Sequence, residues 1–205
     1  MQQMCGKYTL MVDKMSGEMR VALDLCGINP ENKGFDISPD THAPVLLVEE
    51  NRVTISSMKW GFSRDGEKLT INARSESVTE RAMFRSLTDR GRCALPAMGY
   101  YEWRDSDHQK YLICSRTNAP IYLAGLYRTE ENGERRFVVL TRDALGEHAK
   151  IHSRMPVVIE SRLEARQWIW GLLSLNELIS SNTVDLKVCA VGPEQLSMDF
   201  EAYSE

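Results

Sequence analysis

The chain has 205 residues, enough for one domain that buries a substantial core without disulfide or metal staples. Its 42% apolar and 26% charged residues suit a soluble globular protein, and no apolar run approaches the ~20 residues of a membrane span. The net charge of −4 argues against holding nucleic acid mainly by phosphate neutralisation, although a local basic cleft remains compatible with it.

The opening, MQQMCGKYTL, lacks the charged-then-apolar pattern of a secretory leader, so a cytoplasmic protein is expected, or a nuclear one in a eukaryote. SGEMRVALDLCG reads as a first helix, capped by Ser16 and stopped by Gly27. Short runs rich in Val, Ile, Leu and Tyr follow: PVLLVEE from Pro44 and RVTISSMKWG from Arg52. SVTERAMFRSL reads as a helix with Ser77 and Glu80 at capping-box spacing. KYLICS, PIYLAGLYR and RRFVVLTR are further strands, the last two joined by a turn at Asn132-Gly133. SRLEARQWIWGLL and SLNELISS predict two helices, and DLKVCAVG a final strand. Strands outnumber helices without alternating with them. The expected fold is therefore α+β, one domain over residues 1–205, with a mainly antiparallel, barrel-like sheet.

The five cysteines, Cys5, Cys26, Cys93, Cys114 and Cys189, are odd in number and widely spaced, which speaks against a disulfide framework or a thiolate zinc site. All but Cys5 sit in apolar runs and read as small buried residues. The stretch from Arg74 to Arg92 carries five arginines, with Glu76, Glu80 and Asp89 between them, and could equally be an ion-paired solvated face. His148 and His152 have helical i, i+4 spacing, but no third metal ligand is marked.

Four stretches could carry chemistry: MCGKY with Cys5, INARSES with Asn72, Arg74 and Glu76, ALPAMGYYEWR with Glu102, and KIHSRMPVVI with His152 and Arg154. Glu102 is conspicuous, because carboxylates are rarely placed in apolar and aromatic runs without a partner. A cysteine, a histidine, a glutamate and an asparagine can form a nucleophile with its base and orienting groups. Residue types alone leave open a cysteine peptidase acting on other proteins, or a noncovalent binding module.

In order, MCGKY, INARSES, ALPAMGYYEW, AGLY, VVLTRDA and IHSRMPVVI resemble the SRAP family, the SOS response-associated peptidases, from Cys5 to about Ile159. The resemblance implies an α+β domain around a barrel-like core, without cofactor or metal, acting as a monomer on single-stranded DNA that contains abasic sites. It implies that Cys5 becomes the N-terminal residue and that its amine and thiol close a thiazolidine ring with the open-chain sugar aldehyde. Residues 1–4 would then be absent from the mature protein, through a start at Met4 or through autoproteolysis. Asn72 would orient the cysteine terminus, Glu102 would act as general acid and base, and His152 would assist proton transfer at the sugar. Lys7, Trp60, Arg74, Glu76, Thr141 and Arg154 would lie at the DNA, with Arg74 and Arg154 on phosphates and Trp60 near the bases. Lys7 stands where the family often has arginine, and the loop ahead of APVLLV is acidic or neutral. After WGF comes SRDGEK instead of a segment with proline and tryptophan.

Overall fold

The computed structural model describes residues 6–11, 26, 34–63, 68–180 and 185–192. Cys5 and all but Cys26 of the helix expected over residues 16–27 lie outside the described residues, as does most of SRDGEK.

Among the described residues, two sheets make up the fold. The larger contains β3 (His42–Glu49), β4 (Arg52–Trp60), β6 (Arg92–Ala97), β9 (Ile121–Thr129) and β10 (Arg135–Asp143). Their pairings run β10-β4-β3-β6-β9 and return from β9 to β10, so these five strands close on themselves. Closure leaves no free edge around the ring. All its pairs are antiparallel except β4 with β10, so the expected antiparallel barrel has one parallel seam. The smaller sheet has the order β13-β8-β7-β1-β2, formed by β1 (Tyr8–Met11), β2 (Gly34–Ile37), β7 (Gly99–Trp103), β8 (Lys110–Ser115) and β13 (Leu186–Ala190).

β6, β9 and β10 carry near-continuous apolar stretches because both of their faces are covered, whereas β4, RVTISSMKW, is part-exposed along most of its length. Phe137 and Val139 point into the interior with Trp60, Val45, Leu95 and Leu123, where Tyr8, Leu10 and Tyr100 of the smaller sheet join them. Val138 and Leu140 face outward against the helices, with Ala94, Leu126 and Trp168. The Asn132-Gly133 turn joins β9 to β10, with Gly133 at φ 83° and the Asn132 side chain accepting from the Glu134 amide.

Two short strands line the far part of β10. β5 (Asn72–Arg74) runs parallel to it, with Asn72 beside Val139 and Arg74 beside Thr141. On the other edge, β9 and β10 stay paired only as far as Gly125 and Val139. Residues 154–159 then enter between them: β11 (Arg154–Pro156) pairs with β10, and β12 (Val158–Ile159) pairs with β9. At the centre, the Val157 amide donates to Leu140 and its carbonyl accepts from Ala124. Gly125 is required here, because a Cβ would sit 2.9 Å from the Val138 carbonyl and 3.0 Å from the Cys93 sulfur.

The helices partly match expectation. α3 (Arg162–Ile169) is capped by Ser161, whose hydroxyl accepts from the Glu164 amide and donates to its carboxylate. α4 (Leu175–Ser180) follows, with Leu178 buried. SVTERAMFRSL is instead two single turns, α1 (Ala82–Arg85) and α2 (Leu87–Arg90). The Ser77 carbonyl accepts from both Glu80 and Arg81 in a tight turn, so the first helix is capped by Arg81 and not by Ser77. Of the cysteines expected to be buried, Cys93 and Cys114 are; Cys26 and Cys189 are partly exposed.

Trp60, expected near DNA bases, is a core residue. It is fully buried, donates from Nε1 to the Ile71 carbonyl at 2.9 Å, and stacks on Phe137 with centroids 6.0 Å apart. The reason is its register: it closes the barrel seam beside Phe137. Trp60→Ala should therefore cost about 3–5 kcal/mol of stability, read by urea unfolding.

A buried polar link joins the sheets. Tyr100 of β7 meets His148, on the 3₁₀ turn Gly146–Lys150, at 2.9 Å from Oη to Nδ1. Burial pushes the His148 imidazole from 6.5 down to about 4, outweighing its bond to the Arg154 carbonyl. The unfolded chain thus takes up this proton near pH 6.5 and the native chain only near 4, so stability falls as pH drops through that window. Between about pH 7 and pH 5 the loss should be about 2 kcal/mol. Urea unfolding at both values, on wild type and His148→Gln, should show the variant losing less by that amount.

Candidate functional site

Asn72, Arg74, Glu76, Thr141, His152 and Arg154 gather around the C-terminal half of β10, whereas Lys7 and Glu102 lie with the smaller sheet. β5 brings Asn72 and Arg74 to one edge, and β11 brings Arg154 to the other, opposite Asp143. Just beyond β5, Glu76 reaches across to Arg154, with Nη1 to Oε1 at 2.6 Å and Nη2 to Oε2 at 2.8 Å. Asp143 binds the same guanidinium, and the Thr141 carbonyl accepts from Nη2 at 2.9 Å. Arg154 is 8% exposed, and its charge is matched by the carboxylates of Glu76 and Asp143, which are themselves exposed at the surface. The guanidinium holds the Glu76 carboxyl below its ordinary range.

This geometry revises several expected DNA contacts. Arg154 presents its fork to Glu76 and Asp143 and not to solvent. Thr141 is completely buried and serves as a main-chain acceptor for Arg154 and for the Ser75 amide. Lys7 is paired with Asp36 at 3.2 Å. Asp40, the acid in the loop ahead of β3, is itself matched by Lys59 and Arg136. Arg74, by contrast, is exposed and has no ion pair among the described residues.

His152 is buried beside this network, and its Nδ1 accepts from the Arg154 amide at 3.0 Å. An acceptor at Nδ1 places the proton of the neutral ring on Nε2. His148, four residues earlier, has both nitrogens engaged, with Nε2 at 2.9 Å from the Arg154 carbonyl. The i, i+4 spacing therefore serves hydrogen bonding within the loop. Among the described residues, no group of three or more His, Cys, Asp or Glu is placed to hold a metal ion.

Glu102 sits on β7 and is 3% exposed. Strand alternation puts it on the same face as Tyr100, which belongs to the barrel core, while Tyr101 belongs to a separate cluster on the outer face. β1 lies alongside β7, with Tyr8 opposite Tyr100, and the Lys7 carbonyl accepts from the Tyr101 amide at 2.9 Å. The chain thus reaches the strand that carries Glu102 within two residues of Cys5 in sequence. Sequence reasoning missed the Tyr100–His148 link and the part played by Asp143. Tyr100 lies in an apolar and aromatic run, but His148 lies in the polar segment GEHAK, which gives no signal of burial.

The arrangement offers a buried carboxylate on the strand beside β1 and, around the end of β10, a buried histidine, a side-chain amide and an exposed cation. Among curated proteins, the chain is 26% identical over 177 residues to the abasic site processing protein YedK of Escherichia coli, covering 81% of this chain and 79% of that protein. It is 25% identical over 183 residues to the abasic site processing protein YoaM of Bacillus subtilis, with the same coverage. A Saccharomyces cerevisiae abasic site processing protein is 30% identical over 142 residues, which span 64% of this chain but only 38% of the yeast protein. Among solved structures, a Bacteroides thetaiotaomicron protein superposes with a TM-score of 0.71 at 20% identity, covering 92% of this chain and 93% of its own. A phage-related protein of Bordetella bronchiseptica gives 0.68 at 23%, covering 91% and 94%. The family model for SOS response associated peptidase (SRAP) matches residues 4–193, so the chain belongs to the SRAP family.

Proposed function

We propose that this protein captures abasic sites in single-stranded DNA by forming a thiazolidine with Cys5, once residues 1–4 are absent. The observation that carries the proposal is the buried Glu102 on the strand that the N-terminal segment runs beside. The names of the bacterial and yeast relatives, all abasic site processing proteins, support it.

The chemistry balances without a cofactor. The Cys5 α-amine adds to the sugar aldehyde carbon to give a carbinolamine. Loss of water gives an imine, and the thiolate adds to the same carbon, closing the ring with net release of one water. At neutral pH an α-amine and a thiol are both mostly protonated, so the first step needs a base and the dehydration needs an acid. One enclosed carboxyl, Glu102, serves for both. Because amine and thiol belong to one residue, ring closure is intramolecular. Asn72 orients the cysteine, and His152 donates from Nε2 toward the sugar oxygen. Arg74 meets a backbone phosphate, and Arg154 positions His152 from within the protein. Removal of residues 1–4, by start-site choice or self-cleavage, belongs to the same proposal, because a peptide bond at Cys5 would block its amine.

Intact-mass measurement of the chain beginning at Cys5, before and after incubation with abasic single-stranded DNA, should show one adduct that lacks one water. Cys5→Ala should abolish it, as should pretreating the DNA with methoxyamine. Glu102→Gln should slow capture by about 10²–10⁴-fold while leaving the protein folded. Arg74→Ala should weaken single-strand binding and lower the slope of log affinity against log salt by about 0.7. A stable adduct on Cys5→Ala, or unchanged capture by Glu102→Gln, overturns the assignment.

A further inference from the structure

We infer that His148 is a positioning residue that sets the orientation of His152 relative to Glu102; the inference rests on the proposed reaction. Glu102 belongs to the smaller sheet and His152 to the loop that enters the barrel wall, so their relative placement needs a link between the two units. The hydrogen bonds supply one. Tyr100, two residues from Glu102 on β7, lies 2.9 Å from His148 Nδ1. His148 Nε2 lies 2.9 Å from the Arg154 carbonyl, which can only accept. The Nε2 proton is thereby fixed, and Nδ1 must accept from the Tyr100 hydroxyl. The Arg154 amide in turn donates to His152 Nδ1 at 3.0 Å. Arg154 is held at both ends of its main chain by an imidazole, one facing Tyr100 and the other the site.

His148 also anchors the turn through its own carbonyl, which accepts from the Ile151 amide at 2.8 Å and the His152 amide at 3.1 Å. A leucine would fill the same buried space, 3% exposed, without burying polar atoms. An imidazole that stays neutral in that space, with both nitrogens aimed, is suited to setting direction. The consequence is mechanistic: the Nε2–H tautomer of His152, and the direction in which it donates, depend on a residue that does not itself touch the substrate.

Three variants and two measurements test this. His148→Leu should slow capture of abasic single-stranded DNA by about 10- to 100-fold, with unchanged affinity for intact single-stranded DNA. His148→Gln, which carries both an acceptor and a donor, should recover most of the rate. Tyr100→Phe, which removes only the hydroxyl, should give a smaller loss in the same direction and serves if the leucine variant does not fold. The second measurement is the ¹⁵N ring spectrum near neutral pH, tractable with four histidines in the chain. Wild-type His152 should have a proton on Nε2 and none on Nδ1, and the leucine or phenylalanine variant should show a mixture. Normal capture rates together with an unchanged His152 tautomer would overturn the inference. If the wild type fails to capture at all, the proposed reaction is wrong, and the ring spectrum still decides whether His148 orients His152.

Discussion

The site depends on one separation. β9 and β10 cannot remain paired beyond Gly125 and Val139, and the gap is filled by residues 154–159. A barrel wall that opens exposes two rows of backbone donors and acceptors, and buried ones left unpaired are costly. The inserted segment satisfies both rows, with Val157 bonded to Leu140 on one side and Ala124 on the other. The same insertion carries Arg154 in its first position and places His152 just outside it. Arg154 and His152 are thus fixed by the repair of the barrel, so this part of the candidate site inherits the rigidity of the sheet.

Arg154 illustrates how electrostatics follows from this position. A guanidinium buried in a barrel wall must be matched, and Glu76 and Asp143 match it from two other segments. The result is a closed ion cluster that ties the turn after β5 to the end of β10. Its charge is matched by those two carboxylates, whereas Arg74, the last residue of β5, is exposed and keeps its charge at the surface. A chain of net charge −4 can thus present a cation locally without being basic as a whole.

Much of this was legible in the sequence, for physical reasons that differ by segment. The strands at Arg52, Lys110, Ile121 and Arg135 have runs of Val, Ile and Tyr long enough to read, and SRLEARQWIWGLL was long enough to read as a helix. Tyr8–Met11, Asn72–Arg74 and Arg154–Pro156 were not readable as strands, because four residues or fewer give no period. Ser77 and Glu80 had capping-box spacing but fold as a turn, since Val78 is drawn fully into the core. Trp60 carried no mark in the sequence to distinguish a buried indole from one offered to a base; only its place at the barrel seam decides that. The pairing of Arg154 with Glu76 spans 78 positions and leaves no local trace.

β1 is an interior strand, bonded to β2 on one side and β7 on the other. The segment from Tyr8 onward is therefore held on both sides. A tag or fluorescent partner fused ahead of Cys5 would be attached within a few residues of an internal strand. The tip of the β9–β10 hairpin is the better attachment point: Glu131, Asn132 and Gly133 are exposed, and a Cβ on Gly133 would meet nothing within 4 Å.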